Sequence, residues 1–390
     1  MPKRRKRVRR KYSPPKHGID FPLIIGTLAI LAFGLVMVLT AGSVRGFNTT
    51  QNSFFYVIQQ LKWAIFGGAV AFLMANLPYK IWRRFSGIGI GLSVLLLVTV
   101  LYSSAGIVAM GSARWLKIGP VNVQPSEIAK LALILFLAHV LDRYPVKKLR
   151  DLAIPGVIVV VILGLVYKQP DLGTTVVLII TAAAMLWQTE LPTHWFLIAI
   201  PSVSVPLYYL IHRTEYQWHR ILAWMDPWKY ANDFGYQITN AQIAFGSGGI
   251  FGVGLGHSLQ KYGFLPETYT DMIFAVIGEE LGFVGTLFLL GLFVFFYARG
   301  FYIARKCQDR FGRLMAFGIT TSLAVQTGMN LAVVTGIMPV TGVTLPLVSY
   351  GGSSLVITLA EIGILMNISR YAHLNTDSGG IIGEVKSINQ

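Results

Sequence analysis

Residues 21–41 read FPLIIGTLAILAFGLVMVLTA. No charge interrupts them, and they match the ~20 residues an α-helix needs to cross a hydrocarbon core. Apolar stretches of this kind recur as far as Ser369, at 21–41, 56–76, 86–103, 127–141, 152–167, 171–188, 194–211, 271–298, 313–336 and 346–369. The stretch at 127–141 is short for a spanning helix, so it must extend or tilt. Composition agrees: 54% of the 390 residues are hydrophobic and only 13% are charged, against about 25% charged in a soluble domain. The expected fold is an all-α polytopic membrane protein with about ten transmembrane helices.

The formal net charge of +16 raises the question of nucleic acid, but the placement of the charge answers it. The strongest basic run is the tail from Lys3 to Lys16, which reads as a cytoplasmic anchor against anionic lipid. It resembles the start of a signal peptide, yet the apolar run behind it is too long and many spans follow, so a retained first helix is expected. Most of the 33 basic residues then fall on one side: the tail, Lys80 to Arg84, Arg143 to Arg150, Arg299 to Arg313, and Arg370 onward. This predicts both termini in the cytoplasm. The expected divisions are a basic cytoplasmic tail at 1–20, a membrane domain at 21–370 and a short polar cytoplasmic tail at 371–390. Two extracytoplasmic segments exceed simple turns: 102–126, and a large one at 212–270 between helices seven and eight. Long structured loops usually carry function. The lone cysteine, Cys307, excludes an internal disulfide and lies in a basic loop assigned to the cytoplasm. No Cys/His cluster has metal-ligand spacing.

Pro125-Ser126 looks like a helix start with Ser126 as cap. Glu127 and Lys130 are three apart and share a helix face. A lysine inside an apolar span is expensive unless paired or wet, so the pair is either a structural salt bridge or the floor of a polar cavity opening outward. In the long loop, Gly252, Gly254 and Gly256 do not form a dinucleotide fingerprint, because no strand precedes them; they let backbone approach a phosphate or pack on helices. Arg220 and Lys261 are candidates to hold a pyrophosphate, or else contact lipid headgroups. Asp271 sits where the long loop re-enters the membrane. Partial desolvation there would raise its pKa and suit it to general-base work; the alternative is a helix cap. Glu279, Glu280 and Glu361 lie deeper in apolar segments and cannot all face lipid. Asp171 reads as a helix cap, and Ser349-Tyr350-Gly351-Gly352-Ser353-Ser354 as a small-residue break permitting close helix approach.

Six stretches occur in order: Arg114-Trp115-Leu116; Gln124-Pro125-Ser126-Glu127 with Lys130; Gln169-Pro170-Asp171-Leu172-Gly173-Thr174; Leu265-Pro266-Glu267 with Thr270-Asp271; Gly278-Glu279-Glu280-Leu281-Gly282; and Ser349-Tyr350-Gly351-Gly352-Ser353-Ser354. Together they resemble the SEDS family (shape, elongation, division and sporulation), of the FtsW/RodA type, over residues 20 to 370. The segment from Gly111 to Lys130 and Asp226-Pro227-Trp228 look closer to the FtsW division branch than to RodA, with a sporulation paralogue as the near alternative. The resemblance implies a peptidoglycan glycosyltransferase of the cytoplasmic membrane, acting at the division septum. It would polymerise lipid II into undecaprenyl-pyrophosphate-linked glycan beside a class B penicillin-binding protein and other divisome proteins, with no nucleic acid. Asp271 matches the family's outer-loop aspartate, and Glu127 with Lys130 its charged pair beneath the cavity. Arg114, Glu267 and Ser349 belong to the matching motifs and are further expected cavity or substrate-binding residues. Many relatives carry histidine two residues before the aspartate; Tyr269 stands there in this chain. The implied reaction inverts the anomeric carbon, with Asp271 as base and Arg220 and Lys261 on the leaving pyrophosphate. A divalent cation (Mg or Mn) would serve there too, though no ligand set is visible. Two other readings stay open: a lipid II flippase, and a scaffold that only recruits the transpeptidase.

Overall fold

The structure, a computed structural model, describes residues 18–102, 106–109, 112–119, 121–144 and 146–372. Its order is α1 (Phe21–Thr50), α2 (Phe55–Asn76), α3 (Trp82–Tyr102), β1 (Gly106–Ala109), β2 (Ser112–Ile118), β3 (Val121–Val123), α4 (Pro125–Arg143), α5 (Ala153–Tyr167), α6 (Leu172–Trp187), α7 (His194–Arg213), α8 (Glu215–Met225), α9 (Tyr236–Gly248), α10 (Ile273–Lys306), α11 (Arg310–Val334) and α12 (Gly352–Ser369). Eight helical segments of the described residues are long and apolar enough to cross a membrane. α6 is a shorter apolar helix. α4 carries Glu127, Lys130, Asp142 and Arg143, which removes it from a purely hydropathic count. Both tails expected at the termini lie outside the described residues, apart from residues 18–20 and 371–372.

The charged helix α4 is tolerated because it is central. Its buried residues run round most of its circumference, with α3, α6 and α11 packed on it. α11 and α12 are also largely interior, whereas α7 is peripheral and exposed along its length. A spanning helix with apolar residues on all sides can face lipid without cost.

The helix ends expected in the cytoplasm meet on one face. Asp20 pairs with Arg299, and its N–H donates to Ser369 Oγ at 3.1 Å. Asn367 accepts from Tyr79 N–H at 2.8 Å and donates to the Ala75 carbonyl at 2.7 Å. Arg83 pairs with Asp142 at 2.8 Å.

The structure fills in two of the long segments and changes two local expectations. The 102–126 segment is not a plain loop: β1, β2 and β3 form a three-stranded antiparallel sheet in that order, with Leu116 opposite Val123. It is seated on α12 through Ser353 Oγ, which donates to the Asn122 carbonyl at 2.5 Å. Ser126 does not cap α4; Gln124 occupies that position, and the Ser126 hydroxyl donates to Asp171 Oδ2 at 3.2 Å instead. The last helix begins at Gly352 rather than 346, because residues 341–351 are spent on an irregular return. The 212–270 loop contains α8 and α9.

The glycine-rich stretch packs on a helix, one of its two expected uses. α10 is broken at Gly282, whose φ of +66° favours glycine. A Cβ there would lie 2.3 Å from Gly252 N. Through this break, Val253 N–H bonds the Glu279 carbonyl and Gly254 N–H the Glu280 carbonyl, each at 3.0 Å.

Candidate active site

The outer ends of α11 and α12 are joined by an irregular return at 335–351, and this return shapes the site. Asn330 on α11 is buried, and its amide nitrogen donates to both the Asp271 and Val343 carbonyls at 2.7 Å. Ser349 Oγ donates to the Thr270 carbonyl at 2.5 Å and accepts from Leu345 N–H at 2.8 Å. Tyr350 N–H bonds the Tyr269 carbonyl at 2.8 Å. The segment that carries Asp271 is thus clamped from one side by hydrogen bonds to its backbone carbonyls. Ser349 is a buried clamp of that segment.

Asp271 lies just before α10 and is 8% exposed. It is not the helix cap: Met272 holds that position and no side chain caps the helix. Thr270 Oγ1 lies 3.2 Å from Asp271 Oδ1 and 2.7 Å from Glu267 Oε2. Burial, reinforced by the Glu267 charge, pushes the Asp271 carboxyl up from 3.8 to about 6, while Thr270 and Arg220 pull the other way. A carboxylate poised near 6 is a competent base at neutral pH.

Two guanidinium groups approach this carboxylate. Arg114, on β2, is anchored to the carbonyls of Gln169, at 3.2 Å, and Pro170. Arg220, on α8, donates to the Val340 carbonyl at 3.0 Å and to the Tyr216 hydroxyl. Burial lowers its pKa, Arg114 lowers it further, and Tyr216 and Asp271 raise it. Gly342 leaves the space between them open: a Cβ on it would sit 4.0 Å from both Arg114 Nη1 and Asp271 Oδ2. Its φ of +73° also favours glycine.

Beneath Gly342 lies a cavity of ≈ 30 Å³ lined by Gln124, Glu127, Lys130, Gln326 and Thr344 among others. Lys130 Nζ is 2.9 Å from Glu127 Oε2 and 2.6 Å from Gln326 Oε1. Gln326 in turn donates to the Thr344 carbonyl at 3.1 Å. The pair is therefore both a buried salt bridge and part of a polar wall. Glu361 on α12 is wholly buried, and neither carboxyl oxygen has a hydrogen-bond partner among the described residues.

Residues 21–374 match the sequence model of the FtsW/RodA/SpoVE family, described as cell cycle protein. The chain belongs to this family. It is 42% identical over 369 residues to the probable peptidoglycan glycosyltransferase FtsW of Bacillus subtilis strain 168, covering 90% of this chain and 91% of that one. It is 39% identical over 357 residues to the stage V sporulation protein E of the same strain, covering 90% and 97%. Its fold is similar to a chain in the solved structure of a peptidoglycan synthase complex that coordinates polymerization and crosslinking (TM-score 0.76, 31% identity, 92% of this chain and 99% of that one). It is also similar to the rod shape determining protein RodA of Thermus thermophilus (TM-score 0.69, 30% identity, 91% and 98%).

For this FtsW/RodA/SpoVE-family chain, one expected site residue is corrected. Lys261 does not stand free to receive an anion. Its Nζ lies 3.2 Å from Glu280 Oε1 and 2.6 Å from the Gly256 carbonyl, with both charged side chains almost wholly buried. Glu279 beside it binds the Ser258 hydroxyl and the Leu259 and Gln260 N–H groups. The two acids fasten the long loop to α10. One residue escaped the sequence reading. Arg45, exposed at the outer end of α1, interacts electrostatically with Tyr269, Tyr56 and Glu267. Its only sequence signal was a charge just after the first apolar segment. Among the described residues no group of three or more His, Cys, Asp or Glu is placed to hold a metal ion.

Proposed function

We propose that this chain is a lipid II polymerase that builds glycan strands at the outer face of the cytoplasmic membrane for septal wall synthesis. The relatives named as probable peptidoglycan glycosyltransferases support the reaction class. The observation that carries the mechanism is Asp271: a buried carboxylate that caps nothing, is pushed up to about 6 with the Arg220 charge acting on it, and faces the Arg114 guanidinium across an open glycine.

In its ionised form Asp271 takes the proton from the acceptor sugar hydroxyl. That oxygen bonds to the anomeric carbon of the donor chain. The bond from this carbon to the pyrophosphate oxygen breaks, inverting the centre and releasing undecaprenyl pyrophosphate. Arg114 and Arg220 are the cations near enough to Asp271 to neutralise the departing pyrophosphate, as fixed charges in a water-poor site do well. Arg114 is pre-oriented by two backbone carbonyls, so little ordering is needed when the anion arrives. The cavity at Glu127 and Lys130 would lie below the reacting sugars. A class B penicillin-binding protein would cross-link the product, in line with the peptidoglycan synthase complex to which the fold is similar.

The purified chain should convert lipid II to polymer visible on a gel, and Asp271→Asn should not. A flippase would instead move lipid II between leaflets of a vesicle without making polymer. A scaffold would leave the Asp271→Asn variant indistinguishable from the parent.

A further inference from the structure

At the end of the bundle that carries residues 20 and 372, α6, α10 and α11 border a cavity of ≈ 420 Å³, within the ~300–1,000 Å³ of small-molecule sites. Phe301 and Phe317 form an apolar wall, with ring centroids 5.7 Å apart. Arg305, Arg310, Arg313 and Gln188 line the rest. Among the described residues the guanidinium groups of these three arginines form no hydrogen bond and no ion pair, whereas Arg83, Lys147 and Arg299 on the same face are each paired with a carboxylate. The acids nearby are already engaged. Asp142 is held by Arg83 and Glu190 by Lys147, each at 2.8 Å, and Asp309 caps α11 through Gly312 N–H at 3.2 Å. Three like charges around one cavity repel one another unless an anion joins them.

We infer that this cavity binds an anionic phospholipid. The guanidinium forks of Arg305, Arg310 and Arg313 hold its phosphate, as planar forks hold phosphate oxygens, and an acyl chain lies along Phe301 and Phe317. Basic pockets between helices on the cytoplasmic side of a membrane suit such headgroups. An apolar wall beside the charges favours a lipid over an acidic protein segment, which would leave Phe301 and Phe317 without a partner.

The test uses full-length protein in detergent micelles, titrated with phosphatidylglycerol or phosphatidylcholine and read by native mass spectrometry. Three forms are compared: the parent, Arg305→Gln/Arg310→Gln/Arg313→Gln, and a control Lys80→Gln/Arg84→Gln/Arg150→Gln that removes three exposed charges elsewhere on this face. The first triple variant should lose phosphatidylglycerol affinity by on the order of 100-fold, since each charge near an anionic lipid is worth about fivefold. The control should change little. Melting curves establish that the variants are folded, and if the triple variant is not, Arg305→Gln alone should show about fivefold. Equal losses in both triple variants would overturn the inference in favour of a diffuse positive face. So would equal binding of phosphatidylcholine, displacement of the lipid by millimolar inorganic phosphate, or capture of an acidic peptide with no uptake of phosphatidylglycerol. No polymerisation is read, so the outcome is independent of the proposed activity.

Discussion

Replacing Asp271 by asparagine should abolish polymerisation while leaving the protein as stable as before, or more so. The site holds this carboxyl at about 6 instead of 3.8. Each pKa unit corresponds to about 1.4 kcal/mol, so keeping the charge buried costs the fold on the order of 3 kcal/mol. The sign follows from the raised folded-state value. The penalty is absent below about pH 4, grows as the pH rises towards about 6, and is full above it. Asparagine removes the charge, retains the volume, and still offers an oxygen to the Thr270 hydroxyl now 3.2 Å away. The attraction to Arg220 is already included in the value of about 6. Asp271→Asn should therefore melt at or above the parent at about pH 7.5 and match it at about pH 4. Its polymerisation rate should fall by roughly 10²–10⁴-fold, the contribution of a general base. Thermal unfolding at both pH values and polymer length on a gel, from one preparation, decide the matter. A clearly lower melting point at the higher pH would show that the carboxylate holds the fold together. Polymer at the parental level would remove the base from this position and direct attention to Glu267.

The acid limb of the parent's rate profile should lie near pH 6, and Glu267→Gln should move it downward, since the Glu267 charge raises the Asp271 pKa; an unmoved limb would separate the two carboxylates. Glu127→Ala should destabilise by about 3–5 kcal/mol by stranding the Lys130 charge, and Glu127→Ala with Lys130→Met should recover most of it; equal melting points would mean the 2.9 Å pair contributes nothing. Gly342→Val should slow polymerisation far more than it harms folding. Its backbone strain is roughly 1–2 kcal/mol, but the new methyls enter the gap between Arg114 and Asp271; activity unchanged in this variant would place the reacting sugars elsewhere.

Much of the architecture was legible locally. A run such as residues 21–41 needs no partner to declare itself, because a window of ~20 apolar residues is itself the cost argument for a helix in lipid. Asp171 read as a cap for the same reason: its Oδ1 accepts from Thr174 N–H, three residues on, at 3.1 Å. Asp271 stood out as an acid at a membrane boundary, but position alone left it divided between cap and base. Tertiary structure divided the roles. Met272 takes the cap, and Asn330, Thr270, Glu267, Arg114 and Arg220 converge on the aspartate from segments up to 157 residues away in sequence, a separation read from Arg114 and Asp271. The same holds for Lys261, whose isolated positive charge suggested an anion site until Glu280 was found against it, and for Ser126, drawn from its expected cap by Asp171. Hydropathy and capping are short-range properties and are written in the order of residues. Which buried charge meets which depends on helices packing across the bundle, and that is decided only when the chain has folded.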